Sequence, residues 1–161
     1  MSRHPGTQSE RSPRRRRSRD DRGAVLVEFA LIAPVLFLII FATIDFGWVF
    51  GQHLDVRHGA REGARLAAVN YASEESDQTG AIVDEICERM DANPDVMVAL
   101  TLPGGASSGE ELVVTVTRPA ETLTGFVDFA LGDTELSSSV NARIEQDATW
   151  TETAPEGQAC T

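Results

Sequence analysis

The chain has 161 residues, about the size of one domain, and a formal net charge of −11 from 14 basic and 25 acidic residues. All the basic residues are arginines, and residues 1–22 hold eight of them against three acids, whereas residues 23–161 hold six against 22. This split excludes a uniformly acidic soluble protein, and the acidity of the larger part excludes a basic nucleic-acid-binding domain.

The chain begins with an arginine-rich leader. Up to Arg22 the leader contains no Val, Ile, Leu or aromatic residue, so burial of apolar surface cannot offset the entropy cost of folding. We therefore predict that residues 1–23 form a cytoplasmic leader that is disordered or cleaved. The run Arg14–Arg17 is a feature of nucleic-acid and anionic-lipid patches, but it has no interleaved aromatic residues and we predict no nucleic-acid partner.

A long apolar segment follows, from Gly23 to Phe50, and its only charged residues are Glu28 and Asp45. As a helix it would extend about 40 Å, more than the roughly 30 Å of bilayer hydrocarbon. The uncharged stretch between the two acids places both of them near the membrane interfaces. We predict a transmembrane helix over residues 24–50, since a buried core helix of a soluble protein rarely carries so long an uncharged run.

The charges that flank this helix predict its orientation. Eight arginines precede it, whereas Arg57, Arg61 and Arg65 after it are diluted by acidic residues. The positive-inside rule then predicts a single-pass protein of the cell membrane with a cytoplasmic N-terminus and an extracytoplasmic domain over residues 51–161. A signal peptide removed by signal peptidase is the other interpretation. A retained signal-anchor is favoured because the apolar run is long and no clear A-x-A site follows.

The junction between leader and helix carries a specific pattern. Gly23 is followed by four apolar residues, then Glu28 and Phe29. This resembles the type IV prepilin processing motif, which implies cleavage between Gly23 and Ala24 by a prepilin peptidase and a role for Glu28 and Phe29 in subunit assembly. The new amine of Ala24, or that of a neighbouring subunit, would be compensated by the Glu28 carboxylate in an apolar setting. The alternative for Glu28 is an interfacial carboxylate that extends towards the headgroups.

The resemblance extends further along the chain. Residues 23–34, the sequence Ile44-Asp45-Phe46-Gly47 and the sequence Ala60–Arg65 are similar to the TadE-like proteins, pseudopilins of tight-adherence (Flp) pilus assembly. The resemblance implies a minor pseudopilin that packs its helix against pilin-like or other pilus-assembly membrane proteins in a pilus or a related secretion or adhesion apparatus. It also implies no enzymatic activity, and we predict no cofactor. The later sequence Arg118-Pro119-Ala120 is a poorer match to the family.

The remainder of the chain predicts a small α+β domain. The membrane helix continues outward, with small residues at helical spacing up to about residue 72. A second helix is predicted over residues 80–90, ended by Asn93-Pro94, and a short helix is expected within Leu123–Leu131. Alternating apolar residues predict about three antiparallel strands, near residues 96–102, 112–116 and 136–144, and a flexible C-terminal tail follows them.

The two cysteines, Cys87 and Cys160, both lie in the predicted extracytoplasmic part. An intramolecular disulfide would close a long loop, while free or intermolecular thiols are the alternative. The spacing forms no metal motif, and we predict no metal site.

No catalytic motif is present, and His53 and His58 are spaced wrongly for a metal pair on one helix face. We therefore predict no catalytic residues. Three functional hypotheses follow for such a chain. The first is the pseudopilin, and the second is a permanently anchored extracytoplasmic binding or sensing module. The third is an extracytoplasmic enzyme, which would need an activity that is lost when His53 or His58 is substituted.

Overall fold

The structure, a computed structural model, describes residues 20–90 and 94–160, with side chains from residue 23 onward. The leader up to residue 19, with Arg14–Arg17, lies outside the described residues, as does Asn93, the predicted end of the second helix. The helices and strands follow in this order: α1 (Asp20–Ala68), α2 (Gln78–Met90), β1 (Met97–Thr101), β2 (Glu111–Pro119), α3 (Asp128–Leu131), β3 (Glu135–Arg143) and β4 (Gln158–Ala159).

The chain divides into two units, Met1–Ile40 and Phe41–Thr161. In its described part, the first unit is the N-terminal portion of α1. The second, which we call the C-terminal unit, contains the rest of α1 and every other element. This arrangement confirms the predicted α+β fold class, with a long N-terminal apolar helix, a second helix and an antiparallel sheet.

Local sequence accounts for the end of α1. The helix stops at Ala68, four residues short of the predicted limit, and Asn70 follows with a positive φ of 54°. In this left-handed conformation the Tyr71 amide donates to the Leu66 carbonyl at 3.0 Å, which satisfies a carbonyl of the last turn. Asparagine tolerates this conformation better than most residues, so Asn70 supplies the stop signal.

The sheet has the order β3-β2-β1-β4 and every pairing is antiparallel. Three of its strands are the predicted ones, and β4 is an additional strand that the sequence pattern does not indicate. It has only two residues, Gln158 and Ala159, which pair with Val98 and Met97. A segment of two residues shows no alternation of apolar and polar side chains, so its strand character depends on its neighbour alone.

The core lies in the C-terminal unit, between one face of the sheet and the two longer helices. On β1 and β2 the alternate residues point inward and are fully buried, as the pattern predicted. Helix α1 contributes mainly small residues, which allow the helix backbone to approach its neighbours closely. The buried side chains include Val56, Ala60, Ala64, Ala67, Ile82, Val83, Ile86, Val98, Leu100, Leu112, Val114 and Val116.

At Gly63, α1 approaches both α2 and β2 closely. A Cβ atom at Gly63 would lie 2.7 Å from Ile86 Cδ1 and 3.0 Å from Val114 Cγ1, so it would overlap α2 and β2 together. We expect Gly63→Ala to lower the free energy of unfolding by about 1–2 kcal/mol, because overpacking outweighs the helix propensity of alanine.

The matched control is Gly51→Ala on the same helix, where an added Cβ meets nothing within 4 Å. This change should be neutral or slightly stabilising. Chemical denaturation of the full chain in detergent micelles measures both variants, followed by tryptophan fluorescence, to which the buried Trp150 contributes together with Trp48. Equal effects of the two substitutions would contradict the close approach at Gly63.

Candidate functional site

The apolar part of α1 presents its side chains outward. The large hydrophobic residues from Val25 to Phe46 are 39–72% exposed, which a helix buried in the core of this chain would not be. Within the described residues, α1 is long and apolar enough to cross a membrane. The segment is therefore a membrane anchor or a signal segment.

The residues of the predicted processing motif lie on this exposed part of α1. Gly23, Ala24, Glu28 and Phe29 are all exposed, and Phe29 retains 61% of its accessible surface. A Cβ atom at Gly23 would meet nothing within 4 Å, so packing gives no reason for a glycine here. The role of Gly23 and Ala24 in processing, and that of Glu28 and Phe29 in assembly, stay predictions.

Asp45 is the second acid of the apolar segment, and it is fully buried in the C-terminal unit. One carboxylate oxygen accepts hydrogen bonds from the amides of Leu123 (3.1 Å) and Thr124 (2.7 Å). The other oxygen accepts from the Thr124 hydroxyl at 2.7 Å. A buried carboxylate is tolerated where such donors satisfy it, so Asp45 fastens a distant loop to α1.

Gln52 makes a second attachment two helical turns further along the same face of α1. Its side-chain amide donates to the Glu121 carbonyl at 2.7 Å, and its side-chain oxygen accepts from the Glu121 amide at 3.1 Å. We refer to residues 121–131 as the apolar loop and to Asp45 with Gln52 as the clamp. The clamp fixes the main chain of the apolar loop at two points.

An ion network joins α1 to α2. Glu62 accepts from the guanidinium groups of Arg65 (2.6 Å) and Arg89, and Arg89 also donates to Glu85 at 2.7 Å. The hydrogen bond from Arg65 and the charges of both arginines lower the pKa of the Glu62 carboxyl below its ordinary value. These groups are partly exposed, so the network orients α2 more than it stabilises the fold.

A disulfide joins Cys87 on α2 to Cys160, directly after β4, with Cα atoms 5.6 Å apart. Both residues are buried, and the Cys160 amide donates to the Val96 carbonyl at 3.0 Å. The Trp150 indole donates to the Ala67 carbonyl at 3.2 Å. The C-terminal segment is thus bound to α1, α2 and the sheet, although the sequence predicted a flexible tail.

Residues 23–65 match the model of a family described as TadE-like protein. Over these residues the chain is similar to the TadE-like family. No curated protein and no solved structure gives a significant match to the chain. The match confirms the family resemblance seen in the sequence.

The TadE-like segment, residues 23–65, contains both the predicted processing residues and the clamp residues Asp45 and Gln52. The apolar loop and the disulfide lie outside it. The sequence predicts Asp45 at the membrane interface and no role for Gln52, because the partners of both residues lie more than 60 residues further along the chain. The one available signal was a lone carboxylate within an apolar run, which needs a partner when buried.

The described residues hold no other evident chemistry. Over residues 23–90 and 94–160, no three His, Cys, Asp or Glu side chains cluster as metal ligands do. The features that remain are an exposed apolar helix, a loop held at one end of it, and a disulfide-linked domain. Such an arrangement suits anchoring and packing against other molecules.

Proposed function

We propose that this chain is a membrane-anchored minor pseudopilin that acts in the assembly of a tight-adherence (Flp-type) pilus or a related secretion or adhesion apparatus. The observation that carries the proposal is the TadE-like match, which begins at Gly23 and covers the exposed apolar part of α1. TadE-like proteins are pilin-like and generally without enzymatic activity, so the proposed role is structural.

The proposed topology is a single pass through the cell membrane, with the N-terminus in the cytoplasm. Its support is the arginine-rich leader before the apolar helix, together with the Cys87–Cys160 disulfide, which is typical of extracytoplasmic compartments. In this topology residues 51–161, the larger part of the C-terminal unit, lie outside the cytoplasm.

The proposed mechanism depends on the start of the helix. Removal of the leader after Gly23 by a prepilin peptidase would release the amine of Ala24. The Glu28 carboxylate would then neutralise the amine of an adjacent pilin-like subunit in the apolar environment between helices, where an unpaired charge is costly. Exposed apolar side chains such as Phe29 would pack against the neighbouring helix.

The test is Glu28→Ala, introduced into the full chain in a host that carries the pilus system and lacks its own copy. An unpaired amine between helices costs several kcal/mol, so we expect surface pili and adherence to fall by about tenfold or more. Insertion in the membrane should be unchanged. The control is Asp55→Ala, which removes an exposed acid from α1 beyond the apolar run and should leave piliation intact.

Full piliation with Glu28→Ala, in cells where loss of the whole chain abolishes pili, would contradict the proposed role of Glu28. If loss of the whole chain also leaves piliation intact, the alternative of a permanently anchored binding or sensing module is the better description.

A further inference from the structure

The apolar loop carries three large side chains that the core of the C-terminal unit does not use. Leu123, Phe126 and Phe129 are 58%, 42% and 90% exposed, and the short helix α3 within the loop has no buried residue. In a unit otherwise rich in acids, three exposed apolar residues within seven positions form a concentrated patch. An exposed apolar patch of this kind marks a surface that contacts another molecule or a membrane when the protein functions.

The loop lies beside the outer end of the predicted transmembrane segment. The rings of Phe126 and Phe41 have centroids 6.1 Å apart, and Asp45 binds the amides of Leu123 and Thr124. Phe41 and Asp45 both belong to the segment predicted to span the bilayer. The apolar loop is therefore held at the depth at which α1 leaves the hydrocarbon.

Several polar groups of the loop are hydrogen-bonded within the protein, which lowers the cost of removing those groups from water. The Thr122 hydroxyl donates to Asp128, and the Phe126 amide donates to the Thr124 hydroxyl at 3.3 Å. Gly125 has a φ of 74°, a conformation that allows the tight turn between Thr124 and Phe126. The three apolar side chains thus project from a loop whose main chain is fixed by the clamp.

We propose that Leu123, Phe126 and Phe129 enter the outer face of the lipid bilayer beside α1 and form a second membrane contact of this chain. Phenylalanine and leucine are favoured on the apolar face of segments that lie at the boundary between headgroups and hydrocarbon. The nearby exposed acids Glu121 and Asp133 disfavour an anionic surface, so the preferred lipid is zwitterionic. The inference rests on the membrane anchorage that is part of the proposed function.

This second contact has a mechanical consequence. A single transmembrane helix leaves its outer domain free to rotate about the helix axis and to tilt. A loop that is clamped to α1 and inserted in the bilayer restricts both motions. The chain would therefore present one fixed side of its C-terminal unit to neighbouring membrane proteins before assembly.

The experiment places a fluorescent side chain at the tip of the loop. The substitution Phe129→Trp replaces a nearly fully exposed aromatic residue in the full chain. The variant is reconstituted in phosphatidylcholine vesicles with or without bromine on the acyl chains. The signal of Trp48 and Trp150 is measured in the unsubstituted chain and subtracted. The matched control is Tyr71→Trp, an exposed aromatic position just beyond the end of α1.

We expect the added emission of the Phe129→Trp variant to shift to shorter wavelength and to lose more than half its intensity in brominated bilayers. The added emission of the Tyr71→Trp variant should keep its intensity in the same bilayers. Unquenched, water-like emission from the Phe129→Trp variant, in chains that float with the vesicles, would overturn the inference and leave the anchorage standing.

Two other outcomes would also overturn the inference. A blue shift of the Phe129→Trp emission without quenching, lost when the chain is diluted in lipid, would show that a second copy of the chain covers the patch. Chains that fail to float with the vesicles would overturn both the inference and the proposed anchorage.

Discussion

Removal of the disulfide by Cys87→Ala with Cys160→Ala is expected to lower the free energy of unfolding of the C-terminal unit by about 4 kcal/mol. The bridge links residues 73 positions apart, so its loss restores a large conformational freedom to the unfolded chain. The native state also depends on it locally, because β4 contributes only two residue pairs to the sheet. Denaturation of the full chain in detergent micelles measures the change.

A reducing agent provides the matched control for this prediction. The reduced unsubstituted chain should unfold at nearly the same denaturant concentration as the double alanine variant, since both lack the bridge. Amide hydrogen exchange should rise first at Gln158, Ala159 and Cys160, where the C-terminal segment pairs with β1. An unfolding midpoint that does not respond to the reducing agent would show that the two thiols are not paired.

The second large effect is expected at Asp45. Asp45→Ala removes the acceptor for two amides and one hydroxyl of the apolar loop, and we expect a loss of about 3 kcal/mol in the free energy of unfolding. Hydrogen bonds to a charged acceptor contribute more than neutral ones, and unpaired buried donors are costly. The same denaturation experiment measures the effect.

Two further variants separate hydrogen bonding from charge. Asp45→Asn keeps an oxygen that accepts from both amides and an amino group that can donate to the Thr124 hydroxyl, so we expect a loss of only about 1 kcal/mol. Asp55→Ala removes an exposed acid of the same helix and should have almost no effect. If Asp45→Ala is as mild as Asp55→Ala, the clamp does not hold the loop in the way described.

The elements that could be predicted from the sequence are those whose signal is local. Strands β1 and β2 alternate apolar and polar residues along their length, and the apolar face of α2 recurs at helical spacing. The length of α1 follows from an unbroken apolar run that continues into a stretch of small residues. In each case the residues that form the element also carry its periodicity.

The parts that escaped prediction depend on distant partners. Asp45 is buried by a loop almost 80 residues away, and Gln52 is bound to the main chain of Glu121, whose side chain carries no information about that contact. Strand β4 exists because Met97 and Val98 lie beside it. Similarly, the spacing of the two cysteines does not show whether they form a disulfide, because disulfide formation depends on where α2 and β4 meet.

The candidate functional residues divide in the same way. Gly23, Ala24, Glu28 and Phe29 form a compact pattern, and they lie within the TadE-like segment. The apolar loop has no such pattern. The role proposed for its three exposed side chains depends on the position of the loop beside Phe41, which the local sequence does not indicate. The role proposed for the loop therefore follows from the fold rather than from the family.

In the proposed function, the chain becomes a pilin-like subunit by losing its leader after Gly23. The most direct test is the mass and N-terminal sequence of the full chain purified from membranes of cells with and without the prepilin peptidase. We predict an N-terminus at Ala24 in cells that contain the peptidase and an intact leader in cells that lack it. A membrane-bound chain that keeps its arginine-rich leader in both kinds of cell would contradict the account.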